Sequence, residues 1–188
     1  FRRQRQMCIR DRDGTPTMGG LLIIGSVLFS SVLWGDFSNR FLIVSLLCLL
    51  LFAMLGFADD YKKVTEKNSK GISSWTKISF QFLFSLIISF VLFFYVFDST
   101  ELNYIVPFFK DVSISLGILF IPISIFIIVG SSNAVNLTDG LDGLAILPVI
   151  LITSALGLIA WSAGNIIVSE YLYIPYIQGT GELLVICG

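Results

Sequence analysis

The sequence predicts an all-α protein, a polytopic bundle of transmembrane helices. Hydrophobic residues make up 55% of the 188-residue chain, and charged residues only 13%. Soluble domains carry charge on about a quarter of their residues, so a water-soluble globule fits this composition poorly. The mean hydropathy of +0.88 agrees with an integral membrane protein. The apolar residues also form runs long enough to cross a bilayer, which takes about 20 residues per helix.

Five such apolar runs follow one another, and short polar stretches separate them. None of them has the charged face of an amphipathic surface helix. Buried helices of a large soluble protein are the less favoured alternative. We predict spans at about 18–34, 41–58, 78–97, 112–130 and 144–163, and the start of a sixth near Glu182.

The lysines and arginines predict the orientation, because cytoplasmic loops are enriched in both. The loop at 59–77 has five lysines and the N-terminal tail has five arginines. The loops on the opposite side have only Arg40 and Lys110. We therefore expect the tail and the loops at 59–77 and 131–143 to be cytoplasmic.

The first 13 residues differ from the rest of the chain. They form a basic tail, which is either foreign sequence or a segment that binds anionic lipid. Residues 14–188 form the predicted transmembrane domain. Because the chain opens without methionine and stops within an apparent helix, we expect it to be a piece of a longer protein.

The chain has no histidine and three widely spaced cysteines, Cys8, Cys48 and Cys187. An odd number of distant cysteines predicts free thiols, and neither a disulfide framework nor a zinc site. Acid–base chemistry and metal binding within these residues are therefore left to carboxylates, lysines, amides and hydroxyls.

The motif GFADDYKK, residues 56–63, places two adjacent carboxylates at the cytoplasmic end of the second span. On a continuing helix Lys63 lies four residues after Asp59 and three after Asp60, so one lysine reaches either acid. Mg²⁺ is usually bound by one or two carboxylates together with substrate phosphates. A polar helix end with positive-inside lysines explains this motif equally well when it is taken alone.

The stretch SSNAVNLTDGLDGLA lies between two apolar runs. On a straight α-helix, residues three apart are offset by about 60°, so the first and the last of four such residues point in opposite directions. The glycines in this stretch also weaken regular helix. We therefore predict a folded-back loop or a broken helix start that gathers polar groups suited to a sugar, a nucleobase edge or hydrated Mg²⁺. A capped turn is the alternative. The residues spaced by three are Asn133, Asn136, Asp139 and Asp142.

Two further stretches are weaker signals. GTPTMGG, residues 14–20, suits a helix entry, and helix N-termini attract phosphate, although a plain turn is the favoured explanation. KGISSWTKISFQ, residues 70–81, places Lys77 and Gln81 one turn apart at the membrane boundary. A cationic anchor with Trp75 among the headgroups is the favoured explanation of that stretch.

Taken together, these motifs resemble those of the phospho-N-acetylmuramoyl-pentapeptide-transferases, a branch of the polyprenyl-phosphate N-acetylhexosamine-1-phosphate transferases. GTPTMGG, DDYKK and NAVNLTDGLDGLA occur in that family's order, from Gly14 to about Gly188. The resemblance implies an enzyme of about ten helices in the bacterial inner membrane, of which this chain is roughly the middle. It implies Mg²⁺-dependent transfer of phospho-N-acetylmuramoyl-pentapeptide from its UDP carrier, UDP-N-acetylmuramoyl-pentapeptide, to undecaprenyl phosphate, giving lipid I and UMP for peptidoglycan.

The resemblance also implies residue roles. Asp59 and Asp60 would handle the lipid phosphate, with Asp59 the better candidate for a base or an orienting group. Asp139 would lie in the catalytic centre close to Mg²⁺. The implied substrate-binding residues are Asn133, Asn136 and Asp142 for the nucleotide-sugar, with Asp142 toward the uracil, Lys63, Lys67 and Lys77 for phosphates, and Thr17 at the mouth of the cleft.

Some family features are missing. The first family helix is absent, another essential aspartate and a histidine-rich loop would fall beyond Gly188, and a basic residue before GTPTMGG is matched only by Arg12. We therefore expect these residues alone to be inactive, with a further metal ligand supplied from beyond Gly188.

Two other functions are compatible with parts of this pattern. A sister transferase that uses UDP-N-acetylglucosamine would need the same metal chemistry. An ion-coupled transporter is disfavoured, because its acids would lie at mid-span rather than at one membrane face. The expected partners are the bilayer and the two substrates, with no nucleic acid, and a homodimer is left open.

Overall fold

The structure is a computed structural model that describes residues 19–66, 71–97, 102–105, 113–138 and 144–187. It is a polytopic helical membrane protein, as the composition predicts. Within these ranges four helical stretches are long and apolar enough to cross a membrane, namely Arg40–Thr65, Ser74–Val96, Gly117–Thr138 and Ile146–Gly164.

The helices are numbered here in chain order. They are α1 (Gly19–Trp34), α2 (Arg40–Thr65), α3 (Ser74–Val91), α4 (Phe120–Thr138), α5 (Ile146–Gly164), α6 (Ile166–Leu172) and α7 (Leu184–Cys187). A π-helical turn at Leu92–Val96 extends α3, and 3₁₀ turns at Gly117–Leu119 and Thr180–Leu183 precede α4 and α7. The first predicted span corresponds to α1, which has 16 described residues and is shorter than the other four. A short helix, α7, begins where the start of a sixth span was expected.

Helix α2 is longer than its apolar run. It begins after Asn39, whose side chain accepts hydrogen bonds from the N–H groups of Phe41 and Leu42 and so caps the helix. It continues past residue 58 to Thr65, with lysines in its last turn, where the helix dipole favours positive charge. Residues 59–65, which the sequence placed in the connection between the second and third spans, are therefore helical, as the spacing of Asp59 and Lys63 allowed. Hydropathy marks where the membrane ends, and the helix extends beyond that point.

Helix α4 also extends beyond its apolar run. The sequence predicted a broken loop from residue 131, but regular helix continues to Thr138, so that prediction is wrong for 131–138. The side chains of Asn133 and Thr138 donate to the carbonyls of Val129 and Ala134, one turn back, at 2.8 and 2.9 Å. Polar groups satisfied in this way do not force a helix to break. Residues 139–143 lie outside the described residues.

A small hairpin precedes α4 and was not predicted. Strands β1 (Asn103–Ile105) and β2 (Ser113–Ser115) pair antiparallel, with Tyr104 opposite Ile114. The sequence placed residues 113–115 in a membrane span, because the apolar run continues through them.

Helix α3 packs between α2 and α4, and α5 packs against α7 and the 3₁₀ turn before it. The buried apolar cluster is small, and consists of Phe41, Val44, Ile88 and Val96. Many large apolar side chains remain exposed, such as Phe126 at 80%. Such exposure is expected of helices whose outer faces contact lipid rather than water.

Candidate active site

The carboxylate of Asp59 lies at the centre of an ion cluster near the end of α2. Its Oδ2 is 2.6 Å from Nζ of Lys63 and 3.9 Å from Nζ of Lys77. Its Oδ1 accepts a hydrogen bond of 2.8 Å from the backbone N–H of Ile72. Asp59 is only 8% exposed, and both of its oxygens are engaged. We use "ion cluster" for Asp59, Asp60, Lys63 and Lys77.

The backbone of the turn before α3 packs closely against the carboxylate of Asp59. Gly71 has φ of +56°, a left-handed conformation that favours glycine. A Cβ atom at this position would lie 2.5 Å from Oδ1 of Asp59 and 2.8 Å from Cε of Lys63. Ser73 then caps α3 by accepting from the N–H of Thr76. The glycine therefore lets the backbone approach Asp59 closely and places the start of α3, and with it Lys77, beside the acid.

Asp60 lies in a different environment from its neighbour. Its side chain is 45% exposed, and its Oδ1 is 3.1 Å from Nζ of Lys63. Adjacent residues on a helix point about 100° apart, so one acid faces α3 while the other faces a groove. The prediction that Lys63 reaches both carboxylates is confirmed by these distances. The ion cluster has no net formal charge, because its two carboxylates offset the charges of its two lysines.

Asp60 stands at one end of an apolar groove between α1 and α2, the α1–α2 groove, with a volume of about 320 Å³. Apart from Asp60, the described residues of its lining are uncharged. The lining residues are Gly20, Leu21, Ile24, Cys48, Leu49, Phe52, Ala53, Gly56, Phe57 and Asp60.

A second and larger space, the central cleft, has a volume of about 510 Å³ and is bordered by α1 to α5. Phe52 and Gly56 of α2 line both spaces, so the groove and the cleft are neighbours. The cleft combines an apolar wall with polar groups. Its polar lining residues are Lys77, Gln81, Ser132 and Asn136.

Helices α3 and α4 are joined by side-chain hydrogen bonds at the cleft. Oε1 of Gln81 accepts from Nδ2 of Asn133 at 2.8 Å, and its Nε2 donates to Oγ of Ser132 at 3.3 Å. Gln81 is 2% exposed. In the sequence, Gln81 is marked only by its position one helical turn after Lys77, and that spacing predicts no role for it. Its burial depends on where α4 packs, which no local pattern reveals.

The predicted site residues are thus partly brought together. Asp59, Asp60, Lys63 and Lys77 form the ion cluster, and Asn136 lines the cleft beside Lys77. Asn133 instead borders a separate apolar space of about 440 Å³ between α3 and α4, the α3–α4 groove, with Phe82 and Phe126. The remaining predicted residues, Thr17, Lys67, Asp139 and Asp142, lie outside the described residues.

The described ranges hold no group of three or more Cys, Asp or Glu side chains placed to bind a metal ion. They offer two adjacent carboxylates, of which Asp60 is the more exposed. Oxygen ligands of this kind fit Mg²⁺, which usually takes one or two carboxylates and completes its shell with water and phosphate. The cluster therefore fits part of a magnesium site.

Two comparisons with known protein families match this chain. The family described as "Glycosyl transferase family 4" matches residues 42–181, which run from α2 to the 3₁₀ turn before α7. A shorter pattern, "Phospho-N-acetylmuramoyl-pentapeptide-transferase signature 1", matches residues 13–24, which include the GTPTMGG stretch. Both agree with the resemblance found in the sequence, and the signature favours the muramoyl-pentapeptide branch over the sister transferases.

Proposed function

Since the chain belongs to glycosyl transferase family 4, we propose that its ion cluster and central cleft handle the phosphates of the family reaction. For the branch that the signature names, the reaction is the transfer of phospho-N-acetylmuramoyl-pentapeptide from its UDP carrier to undecaprenyl phosphate, giving lipid I and UMP. The observation that carries the proposal is the convergence of Lys63 and Lys77 on Asp59, with Lys77 also lining the cleft.

Asp59 acts as an orienting group in this proposal. Its oxygens are occupied by Lys63 and by the N–H of Ile72, and little of its side chain reaches solvent. A carboxylate held in this way fixes its lysine partners but is poorly placed to accept a proton from a substrate. Of the two roles considered for Asp59, these contacts support orientation over that of a base.

Asp60 is the carboxylate that lies close to the acceptor, undecaprenyl phosphate, in this proposal. Its side chain is nearly half exposed and faces the α1–α2 groove, where it is the one charged residue in the described part of the lining. A polyprenyl chain is apolar along its length and ends in a phosphate. We propose that the chain lies in this groove and that its phosphate reaches the edge where Asp60 and Lys63 stand.

The two lysines offset phosphate charge. An ammonium group has three N–H donors, and the described contacts of Lys63 use two of them on Asp59 and Asp60. Lys77 lies 3.9 Å from Asp59, too far for a hydrogen bond, so within the described residues charge attraction holds its side chain there. Its donors can then turn toward a phosphate in the cleft. Lys67 would add a further positive charge.

Mg²⁺ would be held by Asp139, with Asp60 as the described carboxylate best placed to share it. When bound, the ion offsets the negative charge of the phosphates that take part in the transfer. The nucleotide-sugar would bind in the central cleft, which is lined by the exposed Asn136 and by Lys77. Asp142 would contact the uracil, and Thr17 would lie at the mouth of the cleft, as the family resemblance implies.

We place the site at the cytoplasmic face, since every lysine of the 59–77 segment is on that side in the predicted orientation. The UDP-sugar would then enter from the cytosol, and the lipid phosphate would lie at the same headgroup level.

We also propose that the protein forms a homodimer, which cross-linking in native membranes would test.

The test is Mg²⁺-dependent release of UMP by the intact transferase that carries this sequence. We expect activity with UDP-N-acetylmuramoyl-pentapeptide and not with UDP-N-acetylglucosamine. Asp60→Asn and Lys77→Gln should each lower kcat by about 100-fold, as for loss of one charge-stabilising group. Glu66→Gln is the control, because Glu66 contacts only the exposed Lys62 among described ion pairs. Full activity of Asp60→Asn would refute the proposed role.

Residues 1–188 alone should release no UMP. The family resemblance implies a further metal ligand from beyond Gly188, and the chain has no histidine that could take its place. Mg²⁺-dependent UMP release by purified residues 1–188, lost in Asp59→Asn, would contradict this expectation.

A further inference from the structure

We propose that Gln81 is a positioning residue that fixes the rotation of α4, so that Asn136 faces the central cleft beside Lys77. The inference rests on the proposed function of the cleft. Gln81 is 2% exposed, and both ends of its amide bond to consecutive residues of α4, Ser132 and Asn133.

The two bonds together specify one rotation of α4. Consecutive residues of a helix point about 100° apart, so Ser132 and Asn133 flank the line of contact with α3. Gln81 donates to one and accepts from the other. A turn of α4 in either direction breaks one of these bonds and leaves a buried amide group unpaired, which is costly away from water.

The bond to Ser132 lies one helical turn from the groups that would bind substrate. Gln81 follows Lys77 by four residues on α3, and Asn136 follows Ser132 by four on α4. Residues four apart lie on the same face of a helix. All four line the central cleft, so the pair that joins the helices is stacked on the pair that faces the substrate.

Asn133 acts through this contact rather than on the substrate. One hydrogen of its Nδ2 goes to Oε1 of Gln81, and the other goes to the carbonyl of Val129, both at 2.8 Å. Both of its donors are thus used within the protein. It borders the α3–α4 groove and is not among the residues that line the central cleft. The structure therefore assigns Asn133 to positioning, whereas the sequence predicted substrate binding.

The test is a double-mutant cycle in the intact transferase, with Gln81→Leu, Asn133→Leu and both changes together. We expect each single change to raise KM for the UDP-sugar about tenfold with a smaller effect on kcat, since ground-state positioning is lost. The double variant should be no worse than the singles, because they remove one shared contact. KM for undecaprenyl phosphate should stay within about twofold of the original value.

The exchanged pair, Gln81→Asn with Asn133→Gln, keeps both amides and should restore KM to within about threefold. A general disturbance of the fold would instead change KM for the UDP-sugar and KM for undecaprenyl phosphate alike. Additive effects in the double variant would show that Asn133 contacts the substrate itself, and an unchanged KM in Gln81→Leu would refute the proposal. If Gln81→Leu does not fold, Ser132→Ala carries the test, with an expected rise in KM of about threefold. Failure of Asp60→Asn or Lys77→Gln to affect activity would instead count against the proposed function.

Discussion

The side chain of Asp59 accepts a hydrogen bond from the backbone N–H of Ile72 across 2.8 Å, and so ties α2 to the turn that leads into α3. The same carboxylate holds Lys63 at 2.6 Å and Lys77 at 3.9 Å. Asp59 therefore does more than supply charge. It determines where the lysine of α3 stands relative to the acids of α2.

The first prediction concerns Gly71. Gly71→Ala should lower kcat at least about tenfold, because its Cβ would collide with the carboxylate of Asp59 and displace the turn that positions Lys77. It should also lower the free energy of unfolding by about 1–2 kcal/mol, the cost of a left-handed residue with a side chain. Initial rates of UMP release and thermal unfolding in detergent measure the two effects.

Gly117→Ala is the matched control for that change. Gly117 also has a left-handed φ, +46°, but a Cβ there would meet nothing within 4 Å, and the residue lies at the other end of α4 from the cleft. Gly117→Ala should lower the free energy of unfolding by a similar amount and leave the activity unchanged. Equal losses of activity in the two variants would mean that backbone strain, and not the contact with Asp59, accounts for the effect.

The second prediction separates two neighbouring lysines. Lys63→Gln removes the cation 2.6 Å from a buried carboxylate, so kcat should fall about 100-fold and the free energy of unfolding by about 1–3 kcal/mol. Lys62→Gln removes a cation that lies 3.8 Å from Glu66, with both side chains about half exposed. Such pairs contribute at most about 1 kcal/mol, so that variant should remain active and stable. The same activity and melting temperature for both variants would contradict the distinction.

The sequence predicted the membrane helices better than their ends. The apolar run at 41–58 identified α2, but the helix continues to Thr65 because charged residues outside the membrane can still form helix. The run at 112–130 identified α4, yet residues 113–115 form strand β2. Hydropathy reports the environment of a residue, and it does not distinguish a short strand from the start of a helix.

The site shows a similar division between local and non-local contacts. Spacing alone predicted that Lys63 reaches both Asp59 and Asp60, since one helix sets that geometry. The bond from Ile72 depends on a left-handed turn at Gly71, and the contact between Gln81 and Asn133 depends on how α3 packs on α4. Neither can be deduced from residue spacing, because each joins two elements.

The third prediction tests the α1–α2 groove as the place of the polyprenyl chain. Ala53→Trp should fill part of this space of about 320 Å³ and raise KM for undecaprenyl phosphate about tenfold. KM for the UDP-sugar should change less than about twofold, because Ala53 is not among the residues that line the central cleft. Kinetics with each substrate varied in turn measure both values.

Met54→Trp is the control for bulk on the same helix. Met54 is 56% exposed and does not line the groove, so both KM values should be retained. A lipid KM that rises equally in both variants would point to a general disturbance of α2. An unchanged lipid KM in folded Ala53→Trp would exclude the groove as the site of the chain.

The fourth prediction concerns the membrane face on which the ion cluster lies. Single cysteines at Lys62→Cys and Asp36→Cys, in a variant whose three native cysteines are replaced by serine, place a thiol at either end of α2. Both native positions have exposed side chains. In right-side-out vesicles an impermeant maleimide should label Asp36→Cys at once, and Lys62→Cys only after the membrane is opened, because the lysine-rich end is cytoplasmic. The reverse pattern would place the cluster on the outer face, where cytosolic UDP-sugar does not reach it, and would overturn the proposed entry of this substrate.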